Sequence, residues 1–481
     1  MVEKRSLHGG DERGLLAAEV RPSHARFGRL FALPARPDVS PTPAELGLPG
    51  GPMDGGDQHQ DSPTLPAVLT YFGQFVDHDI TLDLTSSLER QIDPQAIDNF
   101  RTPALELDSL YGLGPSGSPH LYDARATHAG KLLLGRCVDS EAEVDLPRNA
   151  QGVALLGDPR NDENLIVAQL HVAMLKLHNA IVDQLPQLDD GVDDESPFLK
   201  AQRLTRWHYQ WLILRHYLPA IVGKAMVADV LRERKLYTPA RVPFIPVEFS
   251  GAAYRFGHTM VQPGYAINDQ FGGDLFPPDP GAPVEPGAQL SRDLRGGPIC
   301  FAERLNWKNF IDTGVPASPA AQTRFSARID TKLAASLLNL PTSIVPVGVP
   351  AEQRSLAVRN LTRALRLGLP SGQDVAVEVR KVVPTTRVLT DQEIWDGTSF
   401  EDAPAPLWYY ILREAAVQHE GTQLGDVGGR IVAEVLIGLL ELDPLSFLAR
   451  RPSWIPVVHG RSDGADFTFV DLFRVAGVDS T

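Results

Sequence analysis

The chain is poor in cysteine. Its 481 residues contain two, Cys137 and Cys300, with no CxxC or other metal-binding spacing. A disulfide framework is excluded, and the count suits a reducing compartment. Cation clusters are also missing. The formal net charge is −15, and no run of Lys and Arg offers a basic patch, which excludes nucleic acid as a partner. Long apolar runs are missing too: the strongest, Ile431 to Leu442, is interrupted by Glu434 and is too short to cross a bilayer. The start, MVEKRSLHGGDERG, lacks the apolar stretch of a secretory signal. The expectation is a cytoplasmic protein with no integral membrane segment; export without a cleavable signal stays open. No period of twenty to fifty residues repeats, which argues against solenoids and propellers.

What is present is ordinary globular usage, 43% hydrophobic and 22% charged, with 41 Gly and 40 Pro that predict many turns. The first sixty residues, rich in Pro and Gly, read as an arm packed on a core, with one large domain over 61–481. Loops are expected at Asp189 to Glu195 and Pro277 to Gly287. Between them the period is helical: Leu165, Ala168, Val172, Leu175 and Val182 recur in steps of three and four. Lys200 to Val222 and Thr331 to Leu338 carry shorter signals of the same kind, and Arg430 to Leu442 reads as a helix buried on all sides. Val375, Val377, Val379 and Lys381 alternate like a strand. The fold class expected is mainly α, with little β structure.

One segment combines a helical pattern with chemistry. Ser62-Pro63 predicts a helix start. Leu65, Val68, Leu69, Phe72, Phe75 and Val76 then form an apolar stripe, opposite Thr70, Tyr71, Gln74, Asp77 and His78. That second face reads as solvated, except that Tyr71 is aromatic and that Asp79 falls on the apolar stripe, where it needs a cation or a donor.

Tyr71 to Asp79, YFGQFVDHD, resembles the distal helix of the animal-type haem peroxidases, the superfamily of myeloperoxidase, peroxidasin and cyclooxygenase. Other motifs follow in the family's order. Thr102, Ala104, Glu106 and Asp108, before Tyr111-Gly112, resemble its calcium loop. Arg160 and Glu163 in DPRNDEN match its distal arginine and glutamate. His171 and LKLHN resemble the next helix, Arg255-Phe256-Gly257-His258 resembles the proximal histidine motif, and Asn360 matches the asparagine that orients that histidine. These motifs cover about two thirds of the chain, and the C-terminal helices extend the resemblance to bacterial members.

The resemblance implies haem b on His258, oriented by Asn360, with Arg255 near a propionate. It implies catalysis by His78, Arg160 and Gln74: a histidine can move a peroxide proton near pH 7, and an arginine can offset developing charge. Asp77 and Glu163 match carboxylates that form haem esters in mammalian members, so up to two ester links are implied. Asn164 stands where myeloperoxidase has its sulfonium-forming methionine, so that link is not expected. Calcium is implied at Asp79, Thr102, Ala104, Glu106 and Asp108, with carboxylates at the last two positions where the family usually offers Asp and Ser.

The activity implied is reduction of hydrogen peroxide with oxidation of small organic donors or halides. A fatty-acid dioxygenase of the cyclooxygenase branch is the alternative. Its radical tyrosine precedes the proximal histidine by three residues, where this chain has Arg255; Tyr254 is one residue off and expected on another face. A non-catalytic haem-binding scaffold is a third reading, opposed by intact His78, Arg160 and His258. Residue types alone leave each of these side chains a plainer role, as a core histidine, a surface arginine or a solvated carboxylate.

Overall fold

The computed structural model describes residues 25–56, 59–82, 98–125, 129–188, 195–239, 242–276, 292–319, 321, 323–342, 344–345, 348–458 and 466–478. The expected loop at Pro277 to Gly287, most of the one at Asp189 to Glu195 and the first 24 residues of the arm lie outside them.

Helices dominate, and the described strands are two to six residues long. The elements that build the site are α1 (Val68–Ile80), α2 (Leu165–Gln184), α3 (Pro197–Leu212), α4 (Leu356–Arg366), α5 (Gly372–Val382), α6 (Leu407–His419) and α7 (Asp426–Leu442). α1 packs on α2, α2 on α3, and α6 on α5 and α7. A short 3₁₀ turn, Ala253–His258, is packed against α1, α6 and α7. Four of these seven helices are capped at their start by side chains: Asn164 accepts from Val167 N–H, Ser196 from Leu199, Ser355 from Val358 and Ser371 from Asp374. Each such cap is worth about 1 kcal/mol.

α2 is the apolar, periodic helix the sequence predicts, starting at Leu165 because Asn164 caps it. Residues 165–187 are long and apolar enough to cross a membrane, but 78% of the apolar window is buried inside the protein, so this is a core helix. α7 is buried on nearly every face. Its Glu434 accepts the N–H groups of Lys235, Leu236 and Tyr237 and the Nε of Arg430, which is how a fully buried carboxylate is tolerated. The Lys200 to Val222 signal resolves into α3, a π-helical turn at Ile213–Tyr217 and a short helix at Leu218–Val222.

Three sequence expectations are corrected. Ser62-Pro63 does not begin a helix: Asp61–Pro66 is a strand, antiparallel to Phe325–Ala327. Ser62 Oγ does accept from the Thr64 and Leu65 N–H groups, but Pro66 disfavours helical geometry at Leu65, and the helix proper waits until Val68. The strand-like Asp374 to Val383 is α5, capped by Ser371; Val375 and Val379, one turn apart, are buried while Val377 is exposed. Of Thr331 to Leu338, only Ala335–Leu338 is helical.

The described part of the N-terminal sixty residues is laid over the larger body. Ala25–Gly28 pairs in parallel with Ile245–Pro246, Arg29 donates to the Leu367 and Gly368 carbonyls, Arg36 donates to Pro404 O, and the short helix Pro43–Gly47 packs on α4.

Candidate active site

α1 is not amphipathic in the solvent sense. Thr70, Tyr71 and His78 are buried along with its apolar stripe, and Gln74 and Asp77 are half-buried. Its polar face lines a cavity of about 310 Å³, together with Glu163, Asn164, Tyr217, Tyr254, Arg255, His258 and apolar side chains such as Met260, Val261, Phe276 and Leu340. Residues from α1, from the loop before α2 and from the turn carrying His258 thus meet there.

Burial pushes the His78 imidazole down to about 4, with the positive charge of Arg160 adding to it, so the ring is neutral at pH 7. Its Nδ1 lies 2.8 Å from Asn161 Oδ1, and its Nε2 lies 3.9 Å from Glu163 Oε1. Gln74 is held at both ends of its amide: Nε2 donates to Glu163 Oε1, and Oε1 accepts from Asn164 Nδ2 at 3.2 Å. Glu163 is half accessible and lines the cavity, and the partial burial raises its carboxyl, to about 7.

His258 is pushed to about 3 by burial and by Arg255, so it is also neutral. Its Nδ1 is 2.7 Å from Asn360 Nδ2, and Asn360 Oδ1 accepts from Arg255 Nη1 at 3.0 Å. The pairing of His258 with Asn360 implied by the sequence is therefore made, across 102 positions.

Arg160 stands apart from the first cavity. Its guanidinium donates to Asp158 at 3.1 and 2.8 Å, and to the His78 and Thr81 carbonyls at the end of α1. It lines a second cavity, of about 300 Å³, with Arg255, Arg359, Asn360, Arg363 and Asp77; Asp77, Ser250, Arg255 and Leu356 belong to both. Tyr254 lines the first cavity despite its different helical phase, because the cavity wraps around the 3₁₀ turn.

These surroundings fit haem. Two neutral imidazoles from distant segments reach one apolar-walled space, and four arginines rim the adjoining space against the single carboxylate Asp77, matching a flat apolar ring with anionic tails. His258 and Asn360 would hold it on one side, with Arg255 at the carboxylate end.

The calcium set is only partly assembled. Asp79, Glu106 and Asp108 are all buried, and burial plus the charges of Asp108 and Glu106 raises the Asp79 carboxyl. Asp79 Oδ1 accepts from Leu107 N–H at 2.9 Å, the donor its position demands, and Thr102 Oγ1 donates to Glu106. Ala104 is buried in the same loop. The oxygens suit a hard cation. Among the described residues, however, no three acidic, imidazole or thiol side chains converge on one point. A cation of the chain's own is close by: buried Arg101 bridges Asp108 at 2.8 Å and Asp158 at 2.6 Å.

Reading by motif missed Asp158, Asn161, Arg101 and Tyr217. Asp158 and Asn161 flank Arg160 in the DPRN turn, so proximity was the available signal. Arg101 and Tyr217 carry none. Within LKLHN, His178 is structural, bonded to Tyr111 Oη at 3.0 Å and to Gly130 O at 2.9 Å.

A sequence model of the family described as animal haem peroxidase matches residues 91–278, a span that includes Arg160, Glu163, Arg255 and His258 and leaves out α1 and Asn360. The mouse peroxidasin homolog is 26% identical over 207 residues, which is 39% of this chain and 14% of that protein. Mouse myeloperoxidase is 29% identical over 118 residues, 24% of this chain and 16% of that protein. The chain therefore aligns with only a small part of these curated relatives. Among solved structures, peroxidase A of Dictyostelium discoideum superposes with a TM-score of 0.59 at 15% identity, covering 95% of this chain and 94% of its own. A fatty acid alpha-dioxygenase of Oryza sativa superposes with 0.57 at 16% identity, covering 96% and 80%. The family match over residues 91–278, these relatives and the mainly α fold agree with the order of motifs along the sequence and support the animal-type haem peroxidase superfamily.

Proposed function

We propose that the protein is a haem-dependent peroxidase that reduces hydrogen peroxide and oxidises small organic donors or halides. The observation carrying this reading is that His78 and His258, both neutral, line one cavity. Haem, when bound, supplies the redox-active iron that takes up the oxidising equivalents of peroxide. His258 would hold the haem, with the Asn360 side chain against its Nδ1. His78 accepts a proton from one peroxide oxygen at Nε2 and returns it to the other, the service a neutral imidazole performs near pH 7. Arg160, held on Asp158 against the end of α1 outside that cavity, acts on His78 through its charge, which helps keep the ring neutral. Gln74 presents a fixed amide to the same space, and Asp77 and Glu163, which line it too, would form the ester links. Calcium at Asp79, Thr102, Ala104, Glu106 and Asp108 would brace the end of α1.

Purified protein is tested for a Soret band that responds to hydrogen peroxide and for oxidation of phenols and iodide. His258→Ala is expected to lose haem. His78→Ala is expected to keep haem and to react with peroxide about 10²-fold more slowly. An unchanged rate in His78→Ala removes that residue from catalysis; an unchanged ferric spectrum in His258→Ala removes that residue from holding haem.

A dioxygenase reading keeps one observation in its favour, the ring of Tyr254 on the wall of the cavity. Oxygen uptake on adding a long-chain fatty acid, abolished in Tyr254→Phe, would replace the peroxidase reading.

A further inference from the structure

Asn161 and His171 sit behind His78, away from the groups that would touch haem or peroxide, and nothing above assigns them a task. We propose that they form a buried positioning relay that fixes the tautomer and ring orientation of His78. The proposal deepens the peroxidase reading and rests on it.

The relay has a direction. Asn161 is fully buried in the 3₁₀ turn Pro159–Asp162, one residue after Arg160. Its Oδ1 lies 2.8 Å from His78 Nδ1, and its Nδ2 lies 3.0 Å from His171 Nδ1. A carbonyl oxygen only accepts, so His78 carries its hydrogen on Nδ1 and keeps the lone pair on Nε2, the nitrogen nearer Glu163. An amide nitrogen only donates, so His171 Nδ1 is bare and its hydrogen sits on Nε2.

His171 is suited to that passive part. It is fully buried in α2, and its ring packs edge-on against Phe75 of α1 at 5.9 Å between centroids. Burial keeps it neutral, so one ring nitrogen is a bare acceptor, and it is Nδ1 that faces the Asn161 amide. Its Nε2 is buried with no hydrogen-bond partner among the described residues. An unmet buried donor costs about 1–3 kcal/mol, a cost that an apolar side chain at 171 would not carry. What the imidazole provides in return, in the tautomer bare at Nδ1, is an acceptor for the Asn161 amide, so that Asn161 is paired at both ends. His78 is thereby held from behind, and the nitrogen that must exchange a proton with peroxide is left free.

The test compares wild-type holoprotein with Asn161→Leu, which removes both hydrogen bonds, Asn161→Asp, which restores only the acceptor toward His78, and His171→Phe, which removes the brace. Three quantities are read: haem content, the rate constant with hydrogen peroxide, and the dissociation constant of cyanide on the ferric protein, a binding measurement independent of turnover. Asn161→Leu is expected to keep haem, to slow the peroxide reaction roughly 10-fold or more and to weaken cyanide by a similar factor, the scale seen for partners that orient a working histidine. Asn161→Asp recovers most of both, and His171→Phe falls between. The relay is overturned if Asn161→Leu stays within about twofold of wild type, if Asn161→Asp falls as far as Asn161→Leu, or if haem is lost in step with the rate. Should Asn161→Leu not fold, His171→Phe indistinguishable from wild type in both constants overturns it equally. Wild type that binds haem and cyanide but never turns over peroxide removes the peroxidase reading and leaves the cyanide comparison to decide the relay. Wild type that takes up no haem removes both.

Discussion

Asp158 takes three hydrogen bonds from Arg160, at the backbone N–H (2.9 Å), Nε (3.1 Å) and Nη2 (2.8 Å), and a fourth from Arg101 Nη2 at 2.6 Å. One fully buried carboxylate thereby ties Arg160, at the end of α1, to Arg101, just before the Thr102–Asp108 segment. Burial alone would raise its carboxyl, but the bonds from Arg160 and the charges of Arg160 and Arg101 hold it down at about 2. A depressed carboxyl contributes stability that is fully present above its unfolded value near 3.9 and is lost as pH falls toward 2. Asp158→Asn is expected to lose a pH-dependent contribution of roughly 2 kcal/mol. Thermal midpoints of variant and wild type should therefore converge between pH 4 and pH 2. A gap that stays constant over that window assigns the stability to packing instead.

Glu163 has the opposite sign. With its carboxyl raised to about 7, the folded state holds a proton that the unfolded chain releases near 4.3, so stability declines as pH rises from about 4.5 to 7. Glu163→Gln keeps the acceptor for Gln74 and removes the titration. Its thermal midpoint should exceed that of wild type at pH 8, and the difference should shrink toward pH 4. Equal midpoints at pH 8 would mean that Glu163 is solvated and ordinary.

Asp77 and Glu163 line the same cavity from α1 and from the loop before α2. If both form haem esters, haem should remain with the protein after acid–solvent extraction, increasingly so after peroxide treatment. Intact-mass measurement reads the linked species, and Asp77→Ala combined with Glu163→Ala should release all haem. Complete extraction from peroxide-treated wild type would reduce both carboxylates to hydrogen-bonding groups.

Gly73 is a spacing requirement. A Cβ there would sit 2.5 Å from Tyr217 Oη, and Tyr217 is fully buried against Phe72, with ring centroids 5.6 Å apart. Gly73→Ala gains about 1 kcal/mol of helix propensity but overpacks this contact by about 1–3 kcal/mol, so net destabilisation is expected in denaturant titration. Because the hydroxyl is the atom in the way, adding Tyr217→Phe should recover part of the loss. No recovery would place the strain elsewhere.

The parts of the site legible in sequence are those whose chemistry is local to a motif: Gln74, Asp77 and His78 on one helix, Arg160 and Glu163 in one turn, and Arg255 and His258 in another. Asn360 could be matched through the family resemblance. Its contact with His258 could not be read from the residues, since the two are 102 positions apart. Arg101 was invisible because an arginine beside an acidic loop reads as a surface cation until the fold buries it between Asp108 and Asp158.

The sequence by itself determined that helices would dominate. It marked α2 as a helix by its apolar period and α7 as a buried one, and it set the order of the chemistry-bearing segments. These are short-range properties, fixed by side-chain spacing and by caps such as Asn164. Tertiary structure decided where α1 turns its polar face, which is into a cavity rather than toward water. It also made Asp61–Pro66 a strand, by pairing it with Phe325–Ala327. At α5, the packing of Val375 and Val379 prevailed over an alternation that looked extended. Above all it joined His78, Asn161 and His171, since hydrogen bonds between segments depend on where the core holds them, and no local pattern carries that information.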